Sequence, residues 1–177
     1  MFSDKKLQEW GEESFSNAML ILVDLQENYR EYLESISPIS NRIIRNIRKR
    51  IEEALDNREK IVVILEEVPT QPLISLGIST TSTFRKSPGS SGFQEIQHLI
   101  SPNEEITLGG MMREFCVKDL WIDLKKYQLV EPHLKVEDID PKITIPCFLS
   151  EQEKSLISSE EHKFFQKSRK LFFSAMV

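Results

Sequence analysis

Cysteine and histidine are scarce in this chain of 177 residues. The two cysteines, Cys116 and Cys147, are too few for a disulfide framework, so the sequence predicts a reducing, cytoplasmic compartment. The three histidines, His98, His133 and His162, are too scattered for metal-ligand spacing. We therefore expect neither a bound metal nor any other cofactor.

Long apolar runs and an excess of positive charge are also missing. The longest apolar run, Ala18–Val23, is far shorter than the roughly 18 residues of a membrane helix. The amino-terminal segment has no apolar core after its lysines, so we expect no signal peptide. With 23 basic and 28 acidic residues the net charge is -5, which argues against nucleic-acid binding. Length and a hydrophobic content of 40% predict one globular domain over residues 1–177.

Three short apolar segments predict buried β-strands, at residues 18–24, 60–66 and 105–108. A later apolar segment, KITIPCFL, contains Pro146 and therefore predicts an edge strand, in which Cys147 is a structural residue. Residues 69–92 are rich in proline, glycine, serine and threonine. A stretch of this kind predicts a long functional loop.

Between and after these segments the spacing of apolar residues predicts helices. An isoleucine stripe predicts a helix near residues 37–57, and apolar spacing from Val117 predicts a second. A capping box formed by Ser158 and Glu161 predicts the start of a last helix. Its inward residues are predicted to be Phe164, Phe165, Leu171 and Phe172. The alternation predicts an α/β fold, a three-layer α/β/α sandwich with a mostly parallel sheet.

Candidate functional residues lie where the predicted strands end, since open α/β sheets bind ligands beyond the carboxyl ends of their strands. The first strand ends in Asp24, and Cys116 stands near the start of the helix after the third strand. The helix dipole is expected to lower the pKa of a thiol in that position. Lys86, in the predicted loop, would supply a cation. Thiol, acid and cation together suit nucleophilic catalysis, although composition alone does not select these three residues.

Three ordered segments carry the most specific signal. AMLILVDLQENY ends a strand in Asp-x-Gln with an aromatic residue three positions later, and FRKSPGSSGF places a lysine before a Ser-Gly-Phe triplet. EITLGGMMREFCVKDLWID runs from a strand through a glycine to Cys-Val. In this order the segments resemble the isochorismatase-like cysteine hydrolases, a family that includes nicotinamidases and N-carbamoylsarcosine amidase. The resemblance covers residues 17–126.

The resemblance implies a six-stranded parallel sheet and a catalytic triad of Asp24, Lys86 and Cys116. It also implies an oxyanion hole formed by the backbone N–H groups of Met112 and Cys116, which a cis peptide between Met111 and Met112 would orient. The implied substrate pocket is lined by Gln26, Tyr29, Phe93 and Phe115. The implied activity is metal-independent cleavage of a C–N bond in a small amide, carbamoyl or imide-like substrate through a thioester-type intermediate. The implied assembly is a homo-oligomer.

Departures from the family pattern keep other functions open. The Asp-x-His-x-x-His metal site of nicotinamidases is absent, so we expect no nicotinamide substrate. Met112 and the pair 120–121, Leu-Trp, are bulky where relatives have small residues, and Pro132 interrupts the expected fifth strand. The carboxyl-terminal third is therefore expected to be remodelled. One alternative is a catalytically inactive binding or regulatory protein, and another is a vinyl ether hydrolase that uses acid catalysis by Asp24 without the thiol.

Overall fold

The computed structural model describes residues 16–67 and 81–175. Its centre is a sheet of five parallel strands, with the spatial order β3-β2-β1-β4-β5. The strands are β1 (Ala18–Val23), β2 (Lys60–Glu66), β3 (Thr81–Lys86), β4 (Glu105–Gly110) and β5 (Lys135–Val136). Val23 pairs with Ile64 of β2 and with Gly110 of β4, so the carboxyl ends of neighbouring strands lie almost level.

Helices cover both faces of the sheet. They are α1 (Arg30–Ser35), α2 (Ser37–Asp56), α3 (Phe93–Ile96), α4 (Lys118–Gln128), α5 (Glu151–Lys154) and α6 (Ser159–Ala175). Leu20 and Leu22 of β1 join a core cluster with α1, α2 and α6, whereas Met19 and Ile21 join a second cluster with α3 and α4. This alternation follows the two-residue period of a strand. The predicted three-layer α/β fold is confirmed.

Strand β3 corrects the prediction of a loop over residues 69–92. Residues 81–86 pair in parallel with β2, while residues 68–80 lie outside the described part of the chain. The segment TSTFRK contains the β-branched residues and the phenylalanine that strands favour, but it has too few apolar positions to predict a buried strand. Among the described strands, β3 lies at the edge of the sheet and pairs with β2 alone. Lys86 is therefore the last residue of a strand rather than part of a loop.

The sequence predicted an edge strand around Pro146, and this prediction is wrong, because the segment forms only an isolated bridge through Thr144. It lies beside the carboxyl end of β4, where Gly110 N–H donates to Ile143 O at 2.9 Å and Ile145 N–H donates to Gly110 O at 2.8 Å. Proline has no N–H to continue such a ladder. Because β5 pairs only with the start of β4, the position beside β4 is filled by two separate pieces of chain. The resemblance implied six strands, and the described residues form five.

The last helix begins as predicted. Ser158 N–H donates to Glu161 Oε2 at 2.6 Å, and Glu161 N–H donates to Ser158 Oγ at 3.2 Å. Phe165 is buried, but Phe164 is 54% exposed, so its predicted inward position is wrong because adjacent helical residues point about 100° apart. The side chains of Leu171 and Phe172 lie outside the described set. None of the described helices is both long enough and apolar enough to cross a lipid bilayer.

The close packing of β4 on β1 predicts that Gly110→Ala destabilises the protein. Gly110 has a φ of +125°, and a Cβ there would lie 2.1 Å from Val23 O, a main-chain atom that cannot rotate away. We expect the free energy of unfolding to fall by about 3 kcal/mol or more. Urea denaturation followed by circular dichroism measures this loss.

Gly89→Ala is the matched control. Its φ is also positive, at +79°, but nothing lies within 4 Å of the added Cβ. The expected loss is about 1 kcal/mol, from backbone strain alone. Equal losses in the two variants would contradict the steric account of Gly110.

Candidate active site

Three elements bring the predicted triad to one edge of the sheet. Because β1, β2, β3 and β4 are parallel, their carboxyl ends meet there. Asp24 follows β1 directly, and Lys86 ends β3. After β4 the chain turns into a π-helix, Arg113–Val117, which carries Cys116. π-Helical turns frequently occur at functional sites.

Asp24 and Lys86 form a buried ion pair. Lys86 Nζ lies 3.0 Å from Asp24 Oδ2, and both side chains are 0% exposed. Lys86 Nζ also donates to Ser90 O at 2.9 Å. Asp24 has a φ of 54°, in the left-handed region, and its N–H donates to Ile64 O at 2.8 Å. The main chain of β2 thus helps to hold a strained residue in place.

The two partners perturb each other's protonation. Burial raises the pKa of Asp24, although the Lys86 ammonium opposes this effect. Burial lowers the pKa of Lys86, but the nearby Asp24 and Cys116 outweigh burial and raise it overall. Lys86 is consequently held as a cation beside a carboxylate with an increased affinity for a proton.

Gly92, the middle residue of the Ser-Gly-Phe triplet, lies too close to Ile64 and Lys86 to carry a side chain. It has a φ of +84°, and a Cβ there would lie 2.7 Å from Ile64 Cγ2 and 3.3 Å from Lys86 Cδ. A side chain at this position would press on the lysine stem and on β2. The turn before α3 can therefore cover Lys86 because it has a glycine.

The Cys116 thiol is half-buried and its pKa is raised to about 12. Burial is the largest cause and the Asp24 carboxylate adds to it, while Lys86 lowers the value. The sequence had predicted a lowered pKa from the helix dipole, and this prediction is wrong. The thiol lies among acidic side chains before α4 begins, and their effect together with burial exceeds that of the lysine. It therefore stays protonated at neutral pH.

Glu66, at the end of β2, is a site residue that the sequence analysis missed. Its side chain is 6% exposed, and Oε2 accepts a hydrogen bond from Tyr29 Oη at 3.1 Å. Gln26 holds its main chain, since Glu66 N–H donates to Gln26 Oε1 at 2.7 Å. The available signal was a carboxylate that closes an apolar strand, the same signal that singled out Asp24.

Asp24, Glu66 and Cys116 are the described residues that could hold a metal ion. One oxygen from each carboxylate and the Cys116 sulfur all lie within 4.8 Å of one another. However, the Lys86 ammonium already occupies Asp24 Oδ2, and the thiol would have to lose a strongly held proton before it could ligate.

The four residues expected to line a pocket occupy different environments. Gln26 and Tyr29 are fully buried. Each makes a hydrogen bond with Glu66, so they position that residue. Phe93 is buried in the second core cluster and its ring centroid lies 5.5 Å from that of Tyr127. Phe115 is 38% exposed, and its ring centroid lies 6.0 Å from that of Phe148. Their contact with a substrate stays a prediction.

The turn that precedes Cys116 lacks the cis peptide that the resemblance implied. All peptide bonds among the described residues are trans, and Met112 instead has a φ of 62°. This left-handed residue makes the reversal from β4 into the π-helix with a trans bond. The bulky pair after Cys116 is used for packing, since Leu120 is buried in the second core cluster and Trp121 Nε1 donates to Glu137 O at 3.0 Å.

Comparisons with known proteins give matches among solved structures. A scan against models of protein families finds no match, and a search of curated proteins finds none. The chain is similar to a candidate MAR1 ribonuclease from Leishmania donovani, with a TM-score of 0.50 and 14% identity, covering 82% of this chain and 75% of that one. It is similar to an isochorismatase from Pseudomonas putida, with a TM-score of 0.47 and 16% identity. The match covers 69% of this chain and 71% of that one. It is also similar to N-carbamoylsarcosine amidase from Thermoplasma acidophilum, with a TM-score of 0.47 and 11% identity. This match covers 86% of this chain and 92% of that one.

The sheet order, the two helical layers and the acid–lysine–thiol cluster define a three-layer α/β protein with a site at its carboxyl edge. Its fold is shared with the candidate MAR1 ribonuclease from Leishmania donovani, at a TM-score of 0.50. The 14% identity of this match shows a shared fold alone, so the activity has to be inferred from the site itself.

The raised pKa of the thiol predicts how Cys116 titrates. Ultraviolet absorbance of the thiolate, taken as the difference between the protein and its Cys116→Ala variant, should show no ionisation below about pH 10. Asp24→Asn removes the neighbouring charge that raises the pKa most, so it should lower the pKa by about one unit or more. Glu66→Gln should lower it by less.

Glu104→Gln is the control, because Glu104 is a buried acid before β4, at the opposite edge of the sheet. This variant should leave the titration of Cys116 unchanged. A wild-type thiol that ionises at or below the ordinary value of 9.0 would contradict the electrostatics described above.

Proposed function

We propose that the protein is a metal-independent cysteine hydrolase that cleaves a C–N bond of a small amide, carbamoyl or imide-like substrate. The observation that carries the proposal is a buried Asp24–Lys86 ion pair beside the half-buried thiol of Cys116. A carboxylate with a raised pKa is a proton acceptor matched to a thiol. The sequence resemblance to the isochorismatase-like family supports the proposal without specifying the substrate.

In the first step, the protonated thiol of Cys116 attacks the carbonyl carbon of the substrate. The S–C bond forms while the thiol proton passes to the Asp24 carboxylate, and the carbonyl π electrons move onto oxygen. The backbone N–H groups of Met112 and Cys116 are proposed to stabilise that oxyanion. Lys86 stays charged and balances the negative charge at Asp24 before the transfer.

In the second step, the carbonyl re-forms and the C–N bond breaks. Asp24 returns its proton to the leaving nitrogen, which leaves a thioester on Cys116. Water then transfers a proton to Asp24 and attacks the thioester carbon. When the S–C bond breaks, the sulfur takes the proton back from Asp24, and the acid product leaves.

Two observations favour the alternative functions. The raised pKa of the Cys116 thiol fits a binding or regulatory protein without turnover, because a thiol that keeps its proton is a weak nucleophile. The raised pKa of Asp24 fits a vinyl ether hydrolase, in which the carboxyl group acts as an acid and the sulfur is not used. Slow alkylation of Cys116 does not separate these functions, since all three begin from a protonated thiol.

Cys116→Ala separates the three functions in a screen of small amides, carbamoyl compounds and vinyl ethers. We expect wild-type protein to release ammonia or an amine from one of the C–N compounds and the variant to lose at least about a thousandfold in kcat/KM. The loss follows because no other group in the described site can form the acyl intermediate. Mass spectrometry of quenched wild-type reactions should show an acyl adduct on the peptide that contains Cys116.

Cys147→Ala is the matched control, since Cys147 is the other cysteine and is buried in the core. It should keep activity within a few-fold of wild type. Full activity of Cys116→Ala on a C–N substrate would refute the proposal, and vinyl ether cleavage by that variant would favour acid catalysis by Asp24. Absence of turnover on the whole panel would favour the binding protein.

A further inference from the structure

Besides the Asp24 oxygens, which interact with Lys86 and the Cys116 thiol, one buried carboxylate oxygen at the site has no partner among the described residues. Glu66 Oε2 accepts from Tyr29 Oη, but Glu66 Oε1 is buried and makes no hydrogen bond to any residue in the ranges 16–67 and 81–175. The side chain is 94% buried, because its exposure is 6%. A buried carboxylate oxygen normally requires a donor, so this one indicates a group that the described residues do not supply.

Glu66 lies close to the sulfur and the carboxylate that are proposed to react. A carboxylate oxygen of Glu66 lies within 4.8 Å of both the Cys116 sulfur and an Asp24 oxygen. Gln26 fixes the main chain of Glu66 through both of its amide atoms, at 2.7 Å and 3.4 Å. The carboxylate is thus held in position from two sides, by its main chain and by Tyr29.

The described side chains around the thiol carry more negative than positive charge. Asp24 and Glu66 flank the sulfur, and Lys86 is the cation that pairs with Asp24 and also donates to Ser90 O. Arg85 donates to the main-chain carbonyl of Glu66 at 3.2 Å, not to the carboxylate. Within the described residues, two carboxylates therefore share one ammonium group at this edge.

We infer that the substrate carries a planar cationic group with several N–H donors, an amidinium or guanidinium, which binds the Glu66 carboxylate next to the scissile C–N bond. Such a group presents its donors in a fixed fork that matches carboxylate oxygens, whereas an ammonium has a single centre of charge. It would satisfy Glu66 Oε1 and offset the excess negative charge. This inference rests on the proposed function and names the substrate class for the same site.

Cleavage next to this group needs no further reactant. For a carbamoyl group attached to a guanidinium, the S–C bond forms at the carbonyl carbon, the C–N bond to the guanidine breaks, and Asp24 protonates the leaving nitrogen. Water then releases the carbamoyl group from sulfur. The guanidinium stays intact and leaves Glu66 as a cation.

A pair of isosteric probes tests the inference by calorimetry. Carbamoylguanidine is cationic below neutral pH, and biuret replaces its cationic nitrogen with a neutral carbonyl oxygen. Both are titrated into Cys116→Ala protein, so that binding is measured without turnover. We expect carbamoylguanidine to bind at least about tenfold more tightly than biuret, since a charge-assisted contact to a buried carboxylate is a strong one. Because this comparison uses one protein, it does not depend on the folding of a second variant.

The double variant Cys116→Ala/Glu66→Gln should bind the two probes with affinities within about threefold of each other. Cys116→Ala/Glu104→Gln is its control and should keep the preference for the cation. Equal affinities in Cys116→Ala, tighter binding of biuret, or a preference that survives Glu66→Gln would overturn the inference. Wild-type turnover of neutral amides with no cation preference would overturn it while leaving the proposed hydrolase intact. Cation binding without any turnover would support the Glu66 site and refute the hydrolase.

Discussion

The site depends on one buried ion pair, between Asp24 of the β1 terminus and Lys86 of the β3 terminus. Neither charge has solvent around it, so each is stable mainly because the other is 3.0 Å away. The same lysine limits the pKa of Cys116 and balances the acidic side chains around it. Removal of either partner would leave an isolated buried charge and would change the protonation of the thiol.

Main-chain packing, rather than long loops, sets the positions of these side chains. Parallel pairing brings the ends of β1, β2 and β4 level, and the close approach of Gly110 to Val23 fixes where the chain turns toward Cys116. Gly92 allows the turn before α3 to lie against Lys86. The candidate site is therefore built on strand ends, which hold side chains with more precision than exposed loops do.

The sequence predicted strands β1 and β2 from their short apolar runs and helix α2 from its isoleucine stripe, whereas the triad residues were implied by the family resemblance. It missed β3, an edge strand with few apolar residues, and the role of Glu66, which carries no motif of its own. The direction of the Cys116 pKa shift was also missed, since helix position is readable from sequence but burial and the neighbouring carboxylates are not. Properties that arise from non-local contacts required the structure.

The most direct measurement of the central claim is a double-mutant cycle on Asp24 and Lys86. The free energies of unfolding of wild type, Asp24→Asn, Lys86→Met and the double variant are obtained by urea denaturation. Each single change leaves one member of the pair buried without the other, whereas the double variant removes both charges of the pair, so we predict a coupling energy of about 3 kcal/mol. A coupling energy below about 0.5 kcal/mol, the size seen for exposed pairs, would contradict the account.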